Sequence, residues 1–194
     1  MAGTLNGRRV AILAASGVEQ VELERPRKAV EDEGATTTLI STDTGEIQGM
    51  NADINKGDTF RVDAAIADVD ARDFDALILP GGTCNPDTLR QDQRVISFVQ
   101  QIFRAGKPVG AICHAPWTLV EADLVRGRTL TSFPSVRTDI RNAGGNVVDE
   151  EVVCDEALIT SRNPDDLDAF CAKIVEEFAE GKHPVVGQGA TAQA

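Results

Sequence analysis

Residues 107–123 read KPVGAICHAPWTLVEAD, and this stretch predicts the strand and turn around which the rest of the fold is arranged. The apolar run Val109–Ile112 has the length and composition of a buried β-strand, and it ends at Cys113. The apolar residues after Cys113 have the spacing of a helix. A strand that turns sharply into a helix is a nucleophile elbow, which exposes one side chain at the carboxyl edge of a sheet. The side chains that this helix is expected to bury are Trp117, Leu119 and Val120.

Cys113 is the predicted nucleophile of the elbow. A sharp turn needs small neighbours, which Gly110, Ala111 and Ala115 provide. A thiolate at a helix N-terminus meets unpaired N–H groups and the positive end of the helix dipole, and both lower its pKa. We therefore expect Cys113 to be exposed and to be the most reactive of the four thiols. The alternative is an inert cysteine buried at the end of a strand, because free cysteine is among the most buried residue types.

A second loop, like the one at Cys113, directly follows a predicted buried strand. Residues 77–89, LILPGGTCNPDTL, begin as a buried strand and continue into the glycine pair Gly81 and Gly82. Adjacent glycines let the backbone approach a ligand closely. Strand-end loops meet at the switch point of a doubly wound sheet, where ligands bind. The N–H groups of Gly81, Gly82 and His114 are therefore expected to form an oxyanion hole beside Cys113.

The whole chain shows the same alternation of strand and helix. Short runs rich in valine and isoleucine alternate with longer segments of helical period. This pattern predicts an α/β fold of the flavodoxin-like type, a three-layer sandwich whose mostly parallel central sheet has helices on both faces. Residues 44–63 are polar and interrupted by glycines, which favours a small β-hairpin excursion. The predicted strands are 10–15, Thr36–Ser41, Ala76–Leu79, Val109–Ile112 and Leu158–Ser161, and the main predicted helices are 21–33, 93–105 and 165–180.

Length and composition limit the possible classes of protein. A chain of 194 residues can build one domain with its own core, which we expect to span 1–180. The remaining segment, 181–194, is small, polar and aperiodic, and is predicted to be a flexible tail. The net charge of −12 would repel phosphate backbones and anionic lipids, so we expect neither nucleic acid nor a membrane as partner. The apolar run near the N-terminus is too short for a signal segment, which favours a cytoplasmic protein.

The four cysteines and two histidines argue against a metal site. No Cys-x-x-C pair is present, so a closed structural zinc site is not expected. No G-x-G-x-x-G or P-loop spacing occurs, and no cofactor is predicted. Cys84 is interpreted as a small buried residue, with a resolving thiol for Cys113 as the alternative. Cys154 and Cys171 are assigned to packing.

Four ordered blocks of sequence resemble the PfpI family, the intracellular-protease and general-stress branch of the ThiJ/PfpI superfamily. The blocks read VEQVELERP, DALILPGGTCNPDTLR, GKPVGAICHAPWTLVEADLVRGRTLTS and FPSVRTDIRNAGGNVVDEEVV. The resemblance covers roughly residues 8 to 180. It implies the class I glutamine amidotransferase-like fold. Amidotransferase chemistry itself is not expected, because it uses a histidine and a glutamate far downstream, and the only histidine there is His183 in the predicted tail.

The resemblance also implies which residues act. The family's cysteine and adjacent histidine fall on Cys113 and His114, and the glutamate that contacts the cysteine falls on Glu22, with Glu19 one turn earlier. A third catalytic acid, which relatives can supply from a neighbouring subunit, falls on Asp87. The best-known relatives have glutamate there, and aspartate is shorter. The matching loop at the edge of the pocket falls on Phe133 and Pro134.

Three functions are compatible with these residues. The first is a cysteine-dependent stress enzyme of the glyoxalase or protein-deglycase type, which acts on reactive carbonyls or glycated adducts. The second is an intracellular peptidase that uses Cys113, His114 and Asp87. The third is a redox sensor in which Cys113 is oxidised. The expected partners are a small carbonyl or a peptide substrate and a second copy of the chain, because the resemblance implies a homodimer and, for some relatives, a higher oligomer.

Overall fold

The structure is a computed structural model that describes residues 3–182. The predicted tail, with His183, lies outside the described residues except for Gly181 and Lys182. The strands are β1 (Arg9–Leu13), β2 (Val18–Glu19), β3 (Thr36–Ser41), β4 (Glu46–Asn51), β5 (Asn55–Arg61), β6 (Ala64–Ala65), β7 (Ala76–Leu79), β8 (Val109–Ile112), β9 (Thr129–Leu130), β10 (Asn146–Val147), β11 (Val152–Asp155) and β12 (Leu158–Ser161). The helices are α1 (Gln20–Asp32), α2 (Cys84–Arg90), α3 (Gln93–Arg104), α4 (Pro116–Glu121), α5 (Arg137–Asn142) and α6 (Leu167–Glu180).

The central sheet has seven strands in the order β11-β12-β8-β7-β1-β3-β6. All neighbouring pairs are parallel except β11 with β12. If the parallel strands β1, β3, β7, β8 and β12 are numbered 1 to 5 in chain order, their order across the sheet is 2-1-3-4-5, as in flavodoxin-like folds. The predicted fold class is therefore confirmed, and β8 lies inside the sheet, with β12 and β7 as its neighbours.

Helices cover both faces of this sheet because its strands are apolar on both faces. Along β1, Val10 and Ile12 join the apolar cluster formed with α1 and α6, whereas Ala11 and Leu13 join the cluster formed with α2, α3, α4 and α5. Both sets of side chains are fully buried. Burial on two faces explains why these strands read as continuous apolar runs rather than as an alternating pattern.

The helix boundaries agree with the expectation within two residues. The chain turns at Gly34 after α1 and at Gly106 after α3, where φ is +92° and +67°. The start of α6 is two residues later than predicted because Asn163 accepts the N–H of Asp165 at 2.9 Å and caps a short 3-10 turn. Within residues 3–182, no helix is long and apolar enough to cross a membrane.

The predicted hairpin excursion is confirmed as the antiparallel pair β4 and β5. Strand β2 pairs with β4, so the hairpin belongs to a separate three-stranded sheet. The N–H of Gly17 donates to the carbonyl of Gln48 at 2.8 Å. This pairing attaches the hairpin directly in front of α1, and its tip is consequently placed at the carboxyl edge of the central sheet.

Gly110 in β8 is expected to be intolerant of even one added methyl group. A Cβ at this position would lie 2.8 Å from Cγ2 of Ile174 and 3.1 Å from the ring of Phe170 in α6. We expect Gly110→Ala to lower the free energy of unfolding by about 1–3 kcal/mol, measured by denaturant titration. Ile174→Ala removes the closest obstructing atom, so the double variant should be less destabilised than the sum of the two single variants. Strictly additive losses would contradict this packing.

Candidate active site

The residue at the elbow after β8 has a backbone conformation that residues other than glycine seldom adopt. Cys113 has a φ of +63°, in the left-handed region. Three hydrogen bonds hold it there. Its N–H donates to the carbonyl of Ser161 at 3.0 Å, its carbonyl accepts the N–H of Phe133 at 2.9 Å, and the Ala115 N–H donates to the Ile112 carbonyl at 3.0 Å. The predicted strand–turn–helix elbow is confirmed.

The expected exposure and low pKa of Cys113 are wrong. The residue is only 4% exposed, and burial is the main reason why the pKa of its thiol is raised, with the charge of Glu22 as the second cause. Helix α4 begins only at Pro116, and the N–H groups of the intervening turn are partly used, since Ala115 donates to Ile112. The helix terminus therefore provides less stabilisation of a thiolate than the sequence pattern predicts.

Glu22 lies in the first turn of α1 and is completely buried beside the sulfur. Its Oε2 accepts the N–H of Gly81 at 2.9 Å. Its Oε1 has no partner of good hydrogen-bond geometry within residues 3–182, although the Cys113 side chain is close enough to affect the carboxyl. Burial raises the pKa of Glu22 to about 8, against the lowering effect of the Gly81 N–H and with a further rise from the charge of Glu19. Glu22 therefore keeps its proton near neutral pH and does not lie on a solvated face of the helix.

His114 points at the sulfur. Its Nδ1 is 3.1 Å from Sγ of Cys113, and its Nε2 is 3.0 Å from Oγ of Ser135. The ring stacks on Phe133 with the centroids 4.4 Å apart. Burial lowers the pKa of His114. The imidazole is therefore neutral near pH 7 and can accept a proton from the thiol. Ser135 was not predicted; the only signal for it is its place directly after the Phe133-Pro134 pair.

The glycine loop supplies fewer free donors than predicted. The backbone N–H groups of Gly82 and His114 act to lower the pKa of the Cys113 thiol, against the larger effect of burial, but the N–H of Gly81 is used by Glu22. The N–H of Gly81 is therefore not free for the expected oxyanion hole, and the part of Gly82 and His114 in it stays a prediction. Gly81 is still required as glycine, because a Cβ there would lie 2.5 Å from Oε2 of Glu22 and 2.6 Å from Cβ of Cys113.

Glu19 lies beside the site but its hydrogen bonds are made with the hairpin. Its two carboxylate oxygens accept the N–H groups of Ala52 and Asp53, each at 3.0 Å. Asp53 in turn accepts the N–H of Thr83 at 2.7 Å, next to Gly82. Asp53 was missed at the sequence level, because a polar hairpin offers many carboxylates and nothing in the pattern distinguishes this one.

Comparison with known proteins decides the family. Residues 8–177 match the model of the DJ-1/PfpI family. The chain belongs to the DJ-1/PfpI family. It is 42% identical over 164 residues to the putative cysteine protease YraA of Bacillus subtilis. That alignment covers 84% of this chain and 94% of YraA. It is 41% identical over 166 residues to general stress protein 18 of the same organism, at 84% coverage of this chain and 94% of that protein.

A solved structure of another family member agrees. The crystal structure of Drosophila melanogaster DJ-1beta aligns with a TM-score of 0.80 and 28% sequence identity, and the alignment covers 89% of this chain and 90% of that one. The fold and family expected from the four sequence blocks are therefore confirmed.

The remaining predicted residues of this DJ-1/PfpI chain have different outcomes. Phe133 borders the site as expected, whereas Pro134 is exposed at the start of a short 3-10 turn. Asp87 is exposed on α2, and its carboxylate accepts a hydrogen bond from the Gln91 side chain at 3.4 Å. Within residues 3–182 it makes no hydrogen bond to His114, so one chain does not form the predicted triad, and a contribution from a second subunit stays a prediction.

The other cysteines differ from the expectation in part. Cys84 and Cys154 are exposed, so the assignment of both to buried positions is wrong. Cys84 lies at the start of the amphipathic helix α2, and Cys154 lies in β11 at the edge of the sheet, where one face meets solvent. Cys171 is half-buried on α6 and packs against the apolar cluster, as predicted.

Glu22→Gln is expected to change how stability depends on pH. Between pH 4.5 and about 8 the folded wild type keeps the Glu22 proton while the unfolded chain releases it, so this carboxyl destabilises the fold as pH rises. At about 1.4 kcal/mol per pKa unit, wild type should lose roughly 5 kcal/mol relative to Glu22→Gln across this window. Urea titrations at several pH values measure the difference. The exposed Glu24→Gln on the same helix is the control, and parallel pH profiles for wild type and Glu22→Gln would contradict the prediction.

Proposed function

We propose that this DJ-1/PfpI protein is a cysteine-dependent enzyme that acts on small reactive carbonyls or their adducts, of the glyoxalase or deglycase type. The observation that supports it best is the buried thiol of Cys113 between a neutral imidazole nitrogen 3.1 Å away and a carboxyl whose pKa is about 8. Such a pair of groups can accept and return protons near neutral pH, which addition to a carbonyl requires.

The arrangement suits addition of the thiol to an aldehyde. The sulfur forms a bond to the carbonyl carbon, the C=O π electrons move to oxygen, and the thiol proton passes to Nδ1 of His114. The oxygen then takes up a proton, for which the protonated Glu22 is the nearest acid, and a hemithioacetal results. For a 2-oxoaldehyde, the C1 proton then moves to C2 and the hydroxyl proton on C1 moves to the C2 oxygen, which gives the thioester of a 2-hydroxy acid. Water adds to the thioester carbonyl, the C–S bond breaks, and a proton from the water returns to the sulfur as the 2-hydroxy acid leaves.

Burial of the sulfur favours a small substrate. Cys113 is only 4% exposed, and Gly81, Glu22 and Phe133 lie around it. A small aldehyde such as methylglyoxal needs much less room at the sulfur than an extended polypeptide. The exposed Asp87 supports the same preference, because within residues 3–182 of one chain it makes no hydrogen bond to His114.

A peptidase activity is the second candidate. The name of YraA supports it, and so does the contact of His114 with Cys113. The name of general stress protein 18 supports a role in stress for either reaction. An oxidation sensor is less favoured, because peroxide reacts with the thiolate and burial raises the pKa of this thiol.

Cys113→Ala is the direct test of the proposed reaction. Methylglyoxal turnover, followed as formation of lactate, should fall to background in this variant, a loss of at least about 100-fold, because the nucleophile is removed. Cys84→Ala is the matched control and should keep full turnover, since its thiol is exposed outside the site. Retention of turnover in Cys113→Ala, or cleavage of a fluorogenic peptide by wild type in place of methylglyoxal turnover, would contradict the proposal.

Asp87→Ala separates the two candidate reactions. We expect carbonyl turnover to change less than about twofold, because within residues 3–182 the Asp87 carboxylate is hydrogen-bonded only to the Gln91 side chain at the end of α2, and the proton transfers are assigned to His114 and Glu22. Any peptide cleavage should be lost if a second subunit of the proposed homodimer supplies this acid. Light scattering gives the oligomeric state of the same samples. Loss of methylglyoxal turnover in Asp87→Ala would assign the acid to both reactions.

A further inference from the structure

The tip of the β4–β5 hairpin is fixed against the start of α1. Ala52 and Asp53 both have positive φ, +51° and +63°, and present their N–H groups in the same direction. Glu19, only 8% exposed, accepts one N–H with each of its carboxylate oxygens. The tip therefore has a defined position although most of the hairpin is polar and exposed.

Asp53 extends this connection to the glycine loop. Its Oδ1 accepts the N–H of Thr83 at 2.7 Å. Thr83 belongs to the glycine loop that packs against Cys113, because a Cβ on Gly81 would lie 2.6 Å from Cβ of Cys113. The N–H of Gly82 in this loop acts to lower the pKa of the Cys113 thiol. Gly82 has a φ of +81°, and a Cβ there would lie 2.5 Å from the carbonyl oxygen of Gly17. The 81–83 loop therefore packs against the backbone of Gly17 at Gly82, and the carboxylate of Asp53 holds it at Thr83.

We propose that Asp53 is a positioning residue of the active site, whose carboxylate holds the 81–83 loop so that the Gly82 N–H stays directed at the reacting sulfur. Asp53 acts through Thr83 and Gly82 and donates nothing to the substrate. The proposal rests on the proposed role of Cys113 as nucleophile, and it assigns the polar hairpin to the function of the site.

The charge of Asp53 has a second effect, which an experiment must separate from positioning. The negative charge adds to the effect of burial in raising the pKa of Cys113 and of Glu22, and it partly offsets the lowering of the His114 pKa by burial. Removal of the charge alone favours the thiolate, whereas release of the loop disfavours it because the Gly82 N–H no longer stabilises the sulfur. Asp53→Asn removes the charge and keeps an oxygen acceptor for the Thr83 N–H, and Asp53→Ala removes both.

The test compares these two variants by alkylation and by turnover. Iodoacetamide labelling of Cys113 is followed by peptide mapping from pH 6 to 10, and methylglyoxal turnover is measured on the same samples. Asp53→Ala should be about tenfold slower than Asp53→Asn in turnover, in line with loss of one positioning hydrogen bond. Its Cys113 should also be alkylated more slowly than that of Asp53→Asn at each pH. Asp58→Ala is the matched control, because this carboxylate of the same hairpin binds the Gln20 side chain, and it should behave as wild type.

Hydrogen exchange gives an independent readout. The Thr83 amide should exchange faster in Asp53→Ala than in wild type and should stay protected in Asp53→Asn. Protection of the amides in the central sheet in the same data shows whether each variant is folded. Equal turnover, equal alkylation profiles or equal Thr83 exchange in the two Asp53 variants would overturn the proposal, and so would an equal loss in Asp58→Ala. Absence of methylglyoxal turnover in wild type would instead contradict the proposed function, and the alkylation and exchange data would still decide the role of Asp53.

Discussion

Cys113 has a left-handed backbone between a buried strand and a short helix, and the site around it is arranged to keep that conformation. A side chain at positive φ costs about 1–3 kcal/mol, so it persists only where the surroundings determine it. Hydrogen bonds from the backbone to Ser161 and Phe133 fix the turn. The same turn brings the sulfur to the carboxyl edge of the sheet, where the glycine loop, α1 and the 133–135 segment meet it.

Burial then determines the chemistry of the groups that meet there. Taken out of water, the carboxyl of Glu22 and the thiol of Cys113 both favour their neutral forms, and the imidazole of His114 does the same. Of these three neutral groups, His114 can accept a proton from the thiol and Glu22 can donate one near neutral pH. This physical situation differs from that of a thiolate stabilised at a helix terminus, and it suits addition to a small neutral carbonyl.

The carboxylates outside this neutral centre have structural roles. Glu19 and Asp53 both accept backbone N–H groups, and together they connect α1, the hairpin tip and the glycine loop. The hairpin is too small to have a core of its own, so these contacts and the β2–β4 pairing determine where its tip lies. An excursion that reads as a polar insertion in the sequence thereby becomes part of the environment of the sulfur.

The sequence by itself determined the fold class, the position of the central strands, the elbow and the identity of Cys113, His114 and Glu22, because apolar runs, glycine pairs and ordered motif blocks are local signals. Only the tertiary structure decided the burial of Cys113, the use of the Gly81 N–H by Glu22, the partnership of His114 with Ser135 and the place of Asp53. Exposure and hydrogen-bond partners depend on segments far apart in the chain. Residues 53 and 83 meet through a fold that no local pattern encodes, and desolvation of a thiol arises from every element packed around it.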